Sequence, residues 1–152
     1  MGADYDAPMS QESKPQVVAD GKYIQLVRQG GWEYARRKGI SGIVGVVGVT
    51  DDGKLVLVEQ YRAPVRASVI ELPAGLAGDA KGHEREDLAD EIITLFRATG
   101  LKKTGEGTGD ETEDITVHEI PLGDVVRWLA EQERGGKLID MKVYCGLYFA
   151  RQ

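Results

Sequence analysis

The stretch that most limits the fold is residues 41–62, "SGIVGVVGVT-DDGK-LVLVEQYR". Its first ten residues are nearly all small or β-branched, which suits a strand covered on both faces. "DDGK" is a tight-turn signal, because Asp-Gly between two apolar runs favours a hairpin connection. "LVLVEQYR" then returns as the partner strand and Pro64 ends it. A chain with this hairpin at its centre is built around a sheet.

Further strands are expected on either side. "KYIQLVRQ" (22–29) alternates, and "GGWEYARRKG" adds a turn and a second, exposed strand. "ASVIELPAG" (67–75) is a short strand closed by Pro73 and Gly75. Residues 91–99 read as a strand, 100–113 as a glycine-rich acidic loop, and 114–121 as a cleanly alternating strand. Two helices close the pattern. Residues 122–136 place Val125, Val126 and Leu129 at helical spacing before Gly135-Gly136. Residues 139–152 carry Asp140 as N-cap and Val143, Tyr144, Leu147 and Tyr148 as an apolar face. Many strands followed by late helices suggest a mixed sheet covered by helices.

Length and charge narrow the function classes. The 152 residues fit one domain, taken as 21–152, behind a polar and flexible arm at 1–20. Acidic residues outnumber basic ones by 25 to 19, which argues against nucleic acid as a partner, since phosphate backbones select basic surfaces. A small phosphorylated substrate stays open, because a divalent ion bridges carboxylates to phosphates. No segment reads as a signal peptide or a membrane span. The single cysteine, Cys145, fits a reducing cytoplasm and a packed helix face.

"GGWEYARRKG", "VEQYR" (58–62), "ELPAG" (71–75) and "GDETEDITVHEIPL" (109–122) occur in an order that resembles the Nudix hydrolases, in particular the branch that cleaves ADP-ribose and related nucleoside diphosphate sugars. The resemblance runs from about Lys22 to Trp128. It implies an α+β fold of the α/β/α sandwich type, a Nudix-like mixed β-sheet between helices, with an N-terminal antiparallel sheet that joins a homodimer. It also implies a Mg²⁺-dependent (or Mn²⁺-dependent) pyrophosphohydrolase. On that reading Arg62 holds the diphosphate, Glu71 and Trp32 belong to the substrate site, and Trp32 stacks on the base. The Ala74 backbone carbonyl and Glu86 are metal ligands, and Glu111, or its neighbour Glu113, orients the attacking water.

Each residue also has a plainer reading. Arg62 is a surface arginine paired with Glu59 or Glu71, Trp32 is a core or interface side chain, and "PAG" is an ordinary turn. Glu86 favours a helix N-terminus, and Glu111 and Glu113 belong to a solvated loop. Arg36, Arg37 and Lys38 form a solvated strand end, and His83 and His118 have no metal-ligand spacing.

The family's defining element is G-x5-E-x7-R-E-U-x-E-E-x-G-U, where U is a bulky aliphatic. Its later glutamates share one helix face and gather oxygen ligands for Mg²⁺. Gly78 and Glu84 fit its opening, but its second half occurs nowhere in this chain. "EREDLA" reads as helix and "DEIITLFRATG" as strand, with no turn residue between. The join near 88–91 reads as a seam at which roughly 25 residues, enough for a helix, a strand and two connections, are absent. Either the molecule lacks them, or the sequence joins two stretches across a segment left out. If they are truly lacking, the alternative function is a catalytically silent nucleotide-binding or interaction module.

Overall fold

The computed structural model describes residues 14–40, 42–77, 93–105 and 114–152. These fall into two compact units, one holding 14–40, 42 and 76–77, the other 43–75, 93–105 and 114–152.

The first unit holds a three-stranded antiparallel meander, β1 (Gln16–Asp20), β2 (Ile24–Gln29) and β3 (Trp32–Arg37). Gly30, with φ +58°, makes the tight β2–β3 turn at a position that suits glycine. The register sets Arg28 opposite Glu33, and the two form an ion pair. Lys38 binds Asp20 at 2.8 Å and so ties the exit of β3 to the β1–β2 turn. Residues 16–20, expected in the flexible arm, are instead strand β1. Every one of them is exposed, so no burial alternation marked the strand in the sequence.

The second unit carries the core. β4 (Gly42–Gly48) and β5 (Lys54–Arg62) form where strands were expected, and Gly53 takes φ +77° in the turn between them. They are not the expected hairpin partners: they belong to different sheets, because both edges of β5 are taken by later strands. An isolated Val49–Leu55 bridge is what links the two stretches among the described residues. β6 (Ala67–Glu71) continues from β5, and β7 (Ala74–Ala77), whose last two residues are counted with the first unit, follows the Pro73 turn. β8 (Ile93–Ala98), β9 (Ile115–Pro121), α1 (Val125–Arg134), β10 (Leu138–Ile139) and α2 (Met141–Ala150) complete the order. One sheet runs β10-β6-β5-β9 and another β7-β4-β8. β8 pairs with β4 in parallel, Gly45 opposite Leu95. β5 pairs antiparallel with both β6 and β9.

Leu55, Leu57, Ile70, Leu72, Val125, Leu129 and Val143 are all but inaccessible and pack into a single cluster with Val47 and Leu147. Burying such side chains contributes about 1.5–3 kcal/mol each before entropy is counted. The helices differ from expectation in which side chains they bury. On α1, Val125 and Leu129, spaced i and i+4, face the core, whereas Val126 is exposed. On α2, Val143 and Leu147 are buried, but Tyr144, Tyr148 and Cys145 are exposed. One helix face of i, i+4 spacing cannot also take i+1 and i+5 inward, so Cys145 is not the packed side chain the sequence suggested. Asp140 caps α2 as expected, its side chain accepting from the Lys142 N–H at 2.7 Å.

Candidate active site

The β5–β6 hairpin positions the strongest polar pair in the second unit. Alternation along β5 sends Leu57, Glu59 and Tyr61 to one face and Val58, Gln60 and Arg62 to the other. The register places Val58 opposite Glu71 and Arg62 opposite Ala67, so Arg62 and Glu71 share a face. Arg62 donates from Nε to Oε1 of Glu71 at 2.7 Å and from Nη2 to Oε2 at 2.5 Å. This is a bidentate fork, the tightest way a guanidinium meets a carboxylate. Of the two partners considered for Arg62, Glu71 is therefore the one it takes. Glu59 lies on the opposite face of the same strand.

Glu71 is the one buried charged residue among the described residues, 8% exposed as a whole. It stands at the end of β6, directly before Leu72 and the Pro73-Ala74 turn. That turn is anchored to the neighbouring strand, because the Val46 N–H donates to the Pro73 carbonyl at 2.7 Å. Ala74, the expected backbone ligand, is exposed at the start of β7. The β5–β6 connection holds a strained residue, Arg66, at φ +52°. Only glycine and, to a lesser degree, Asn and Asp adopt that region at low cost.

On the other face of the sheet Glu59 accepts from Lys137 at 2.8 Å and meets His118 Nε2 at 3.0 Å. The His118 ring packs against Trp128, with centroids 5.0 Å apart. Burial pushes the Glu59 carboxyl up, but the hydrogen bonds from Lys137 and His118 outweigh it and hold the group below its ordinary value of 4.5. His118 was given no role from sequence. The clue available was its place in the alternation of "ITVHEIP", opposite Leu57 on the core face.

In the first unit Trp32 opens β3 and is 64% exposed. Trp32, Tyr34 and Arg36 lie on one face of that strand. Arg36 lies over the Tyr34 ring, 5.7 Å from its centroid, and donates to the Tyr34 hydroxyl at 3.1 Å. Trp32 is thus not a buried core side chain. Lys38 pairs with Asp20.

Glu86, Glu111, Glu113 and the seam near 88–91 lie outside the described residues. Among those described, no three His, Cys, Asp or Glu side chains converge as a metal ion requires. The described residues therefore do not make up a divalent-ion site on their own. No helix among them is long and apolar enough to cross a membrane.

No family model matches the chain. It is 31% identical over 118 residues to a methanol dehydrogenase activator of Bacillus methanolicus, a match covering 60% of this chain and 64% of that protein. It is 30% identical over 121 residues to an ADP-ribose pyrophosphatase of Bacillus subtilis, again covering 60% of this chain and 64% of that protein. The matched part is thus slightly less than two thirds of either relative. Sixty per cent of 152 residues is about 91, so about 27 of the 118 positions in the first match have no counterpart here. Among solved structures the chain is similar to an ADP compounds hydrolase, with a TM-score of 0.51 and 16% identity over 75% of this chain and 80% of that one. Mixed sheets with two helices and this likeness give the α+β, Nudix-like fold that the motif order implied.

Proposed function

We propose that the chain follows the plan of a pyrophosphohydrolase of nucleoside diphosphate sugars, with ADP-ribose split to AMP and ribose 5-phosphate as its reaction. The observation that carries this reading is the Arg62–Glu71 fork beside the "PAG" turn. A guanidinium held rigidly at a strand end is suited to a phosphate oxygen pair. The likeness to an ADP-ribose pyrophosphatase supports the substrate class. Trp32, exposed and next to a cation–aromatic pair on its own strand, is proposed to stack on the base. Glu111, with Glu113 as its neighbour, is proposed to orient water. A divalent ion, Mg²⁺ or Mn²⁺, would supply neutralisation of the diphosphate, with the Ala74 carbonyl and Glu86 as its proposed ligands.

A second reading has its own support. A relative of similar identity is named for activating a dehydrogenase, and the shortfall of about 27 positions agrees in size with the segment that the seam implies. On that reading the chain is a Nudix-fold interaction module without hydrolysis. In either reading we propose a homodimer joined through the β1–β3 sheet, whose Val17, Val18, Ile24 and Leu26 are exposed.

Release of AMP from ADP-ribose with Mg²⁺, by folded protein whose intact mass equals that of the 152-residue sequence, is the deciding measurement. AMP above the metal-free control supports the hydrolase. Its absence removes that reading and leaves the binding module, for which ADP-ribose titration by calorimetry is the next test.

A further inference from the structure

Glu71 stood in the sequence as a substrate-site residue. The geometry points to a different role, and we infer that Glu71 is a positioning residue that sets the direction of Arg62 and does not itself touch the ligand. The inference rests on the proposed reading of Arg62 as a phosphate contact.

The first argument is occupancy. Both carboxylate oxygens of Glu71 are engaged by one guanidinium, Oε1 by Nε and Oε2 by Nη2. An anionic ligand would in any case be repelled by the carboxylate itself. The second is reach. Glu71 is four residues along β6 from Ala67, the partner of Arg62. At about 3.3 Å per residue that offset is about 13 Å. The Arg62 and Glu71 side chains cover it together, both reaching along the sheet toward each other past the Gln60–Val69 row. A flexible side chain is thereby held in one extended course, and its guanidinium plane follows from that course. The third is burial. The Glu71 side chain is 10% exposed and that of Arg62 43%. The fixed partner is inside and the steered partner reaches solvent. A partly buried ion pair is weak evidence for stability alone, since desolvation offsets the attraction. Fixing the direction of a ligand-binding fork is a use that the geometry does serve.

The test uses inorganic pyrophosphate as probe and the Arg62 Nε–H resonance as readout, assigned with Arg62→Lys. In the wild type that proton is expected to exchange slowly, and pyrophosphate is expected to shift it saturably. Glu71→Gln keeps one acceptor oxygen but presents an amide NH₂ to the other arm of the fork. It is expected to speed exchange of the Arg62 proton and to weaken pyrophosphate binding at least tenfold. The Arg62→Lys/Glu71→Gln pair is expected to bind no more weakly than Arg62→Lys alone, because Glu71 acts only through the fork. Glu71→Asp, which keeps the charge and shortens the reach, serves if the Gln variant fails to fold, and is expected to lose affinity in the same way.

Multiplying losses in the double variant would mean that Glu71 acts on the ligand separately, and would overturn the inference. So would wild-type affinity in Glu71→Gln, or a wild-type Arg62 signal that pyrophosphate does not move. A wild-type Arg62 signal that responds, in protein that releases no AMP from ADP-ribose, would end the hydrolase reading and leave this one standing.

Discussion

The β1-β2-β3 sheet and the β10-β6-β5-β9 sheet treat apolar side chains in opposite ways. In β5 and β6 the residues Leu55, Leu57 and Ile70 are sealed from solvent under α1 and α2. In β1–β3 the equally apolar Val17, Val18, Ile24 and Leu26 stay exposed, and Val27 is the buried exception. Apolar runs thus marked β2, β5 and β6 as strands, but a covered core formed only around the last two. The pattern says that a face is apolar. It does not say what covers it.

The contrast can be broken by measurement. Leu57→Ala removes a fully buried side chain and is expected to cost about 2–5 kcal/mol in chemical denaturation. Leu26→Ala, on the open sheet, is expected to cost under about 1 kcal/mol. Comparable losses would mean that the first sheet has a core after all. A smaller effect tests how tightly the covered core is packed. A Cβ at Gly146 would lie 3.0 Å from both δ-carbons of Leu72. In Gly146→Ala a helix-propensity gain of about 1 kcal/mol competes with overpacking of about 1–3 kcal/mol. A net loss of about 1 kcal/mol is expected, relieved when Leu72 is also shortened to alanine.

Electrostatics sharpens the comparison further. The folded Glu59 carboxyl sits below its ordinary value of 4.5. Its contribution is therefore present above that value and is lost as pH falls through the depressed folded one. Glu59→Gln should lower the neutral plateau of the stability curve and flatten its acid limb below about pH 4.5, with the least change at the acid end, where the carboxylate has already lost its contribution. A limb that keeps its slope would assign it to other carboxylates. The smallest effect expected on stability is that of Leu26→Lys, which should leave unfolding within about 0.5 kcal/mol. Its larger consequence is read by sedimentation, where a dimer built on the β1–β3 face should dissociate.

These cases also show what was legible in the sequence. The Gly53 turn, the Asp140 cap and the Gly135 stop follow local rules, and each formed where those rules put it. The pairing of β4 with β5 did not form, because strand partners are chosen by the whole sheet and not by the turn alone. Strand β1 carries no alternation of burial, and β10 is two residues long, so neither left a periodic trace. The choice between Glu59 and Glu71 for Arg62 needed the register, because parity along a strand decides which carboxylate a side chain can meet. Glu86, Glu111 and Glu113 rest on motif order alone and lie outside the described residues.

Asp140 joins two elements through a single residue. Its backbone N–H donates to the Ile70 carbonyl at 2.9 Å, extending the β10–β6 pairing, while its carboxylate starts α2. The start of α2 is therefore tied to the rim of the sheet through one residue. The two are expected to open together, which matched amide exchange rates at Asp140 and Lys142 would report. The residue after Ile70 is Glu71, so a fluctuation at the chain's far end arrives one peptide bond from the carboxylate that holds Arg62.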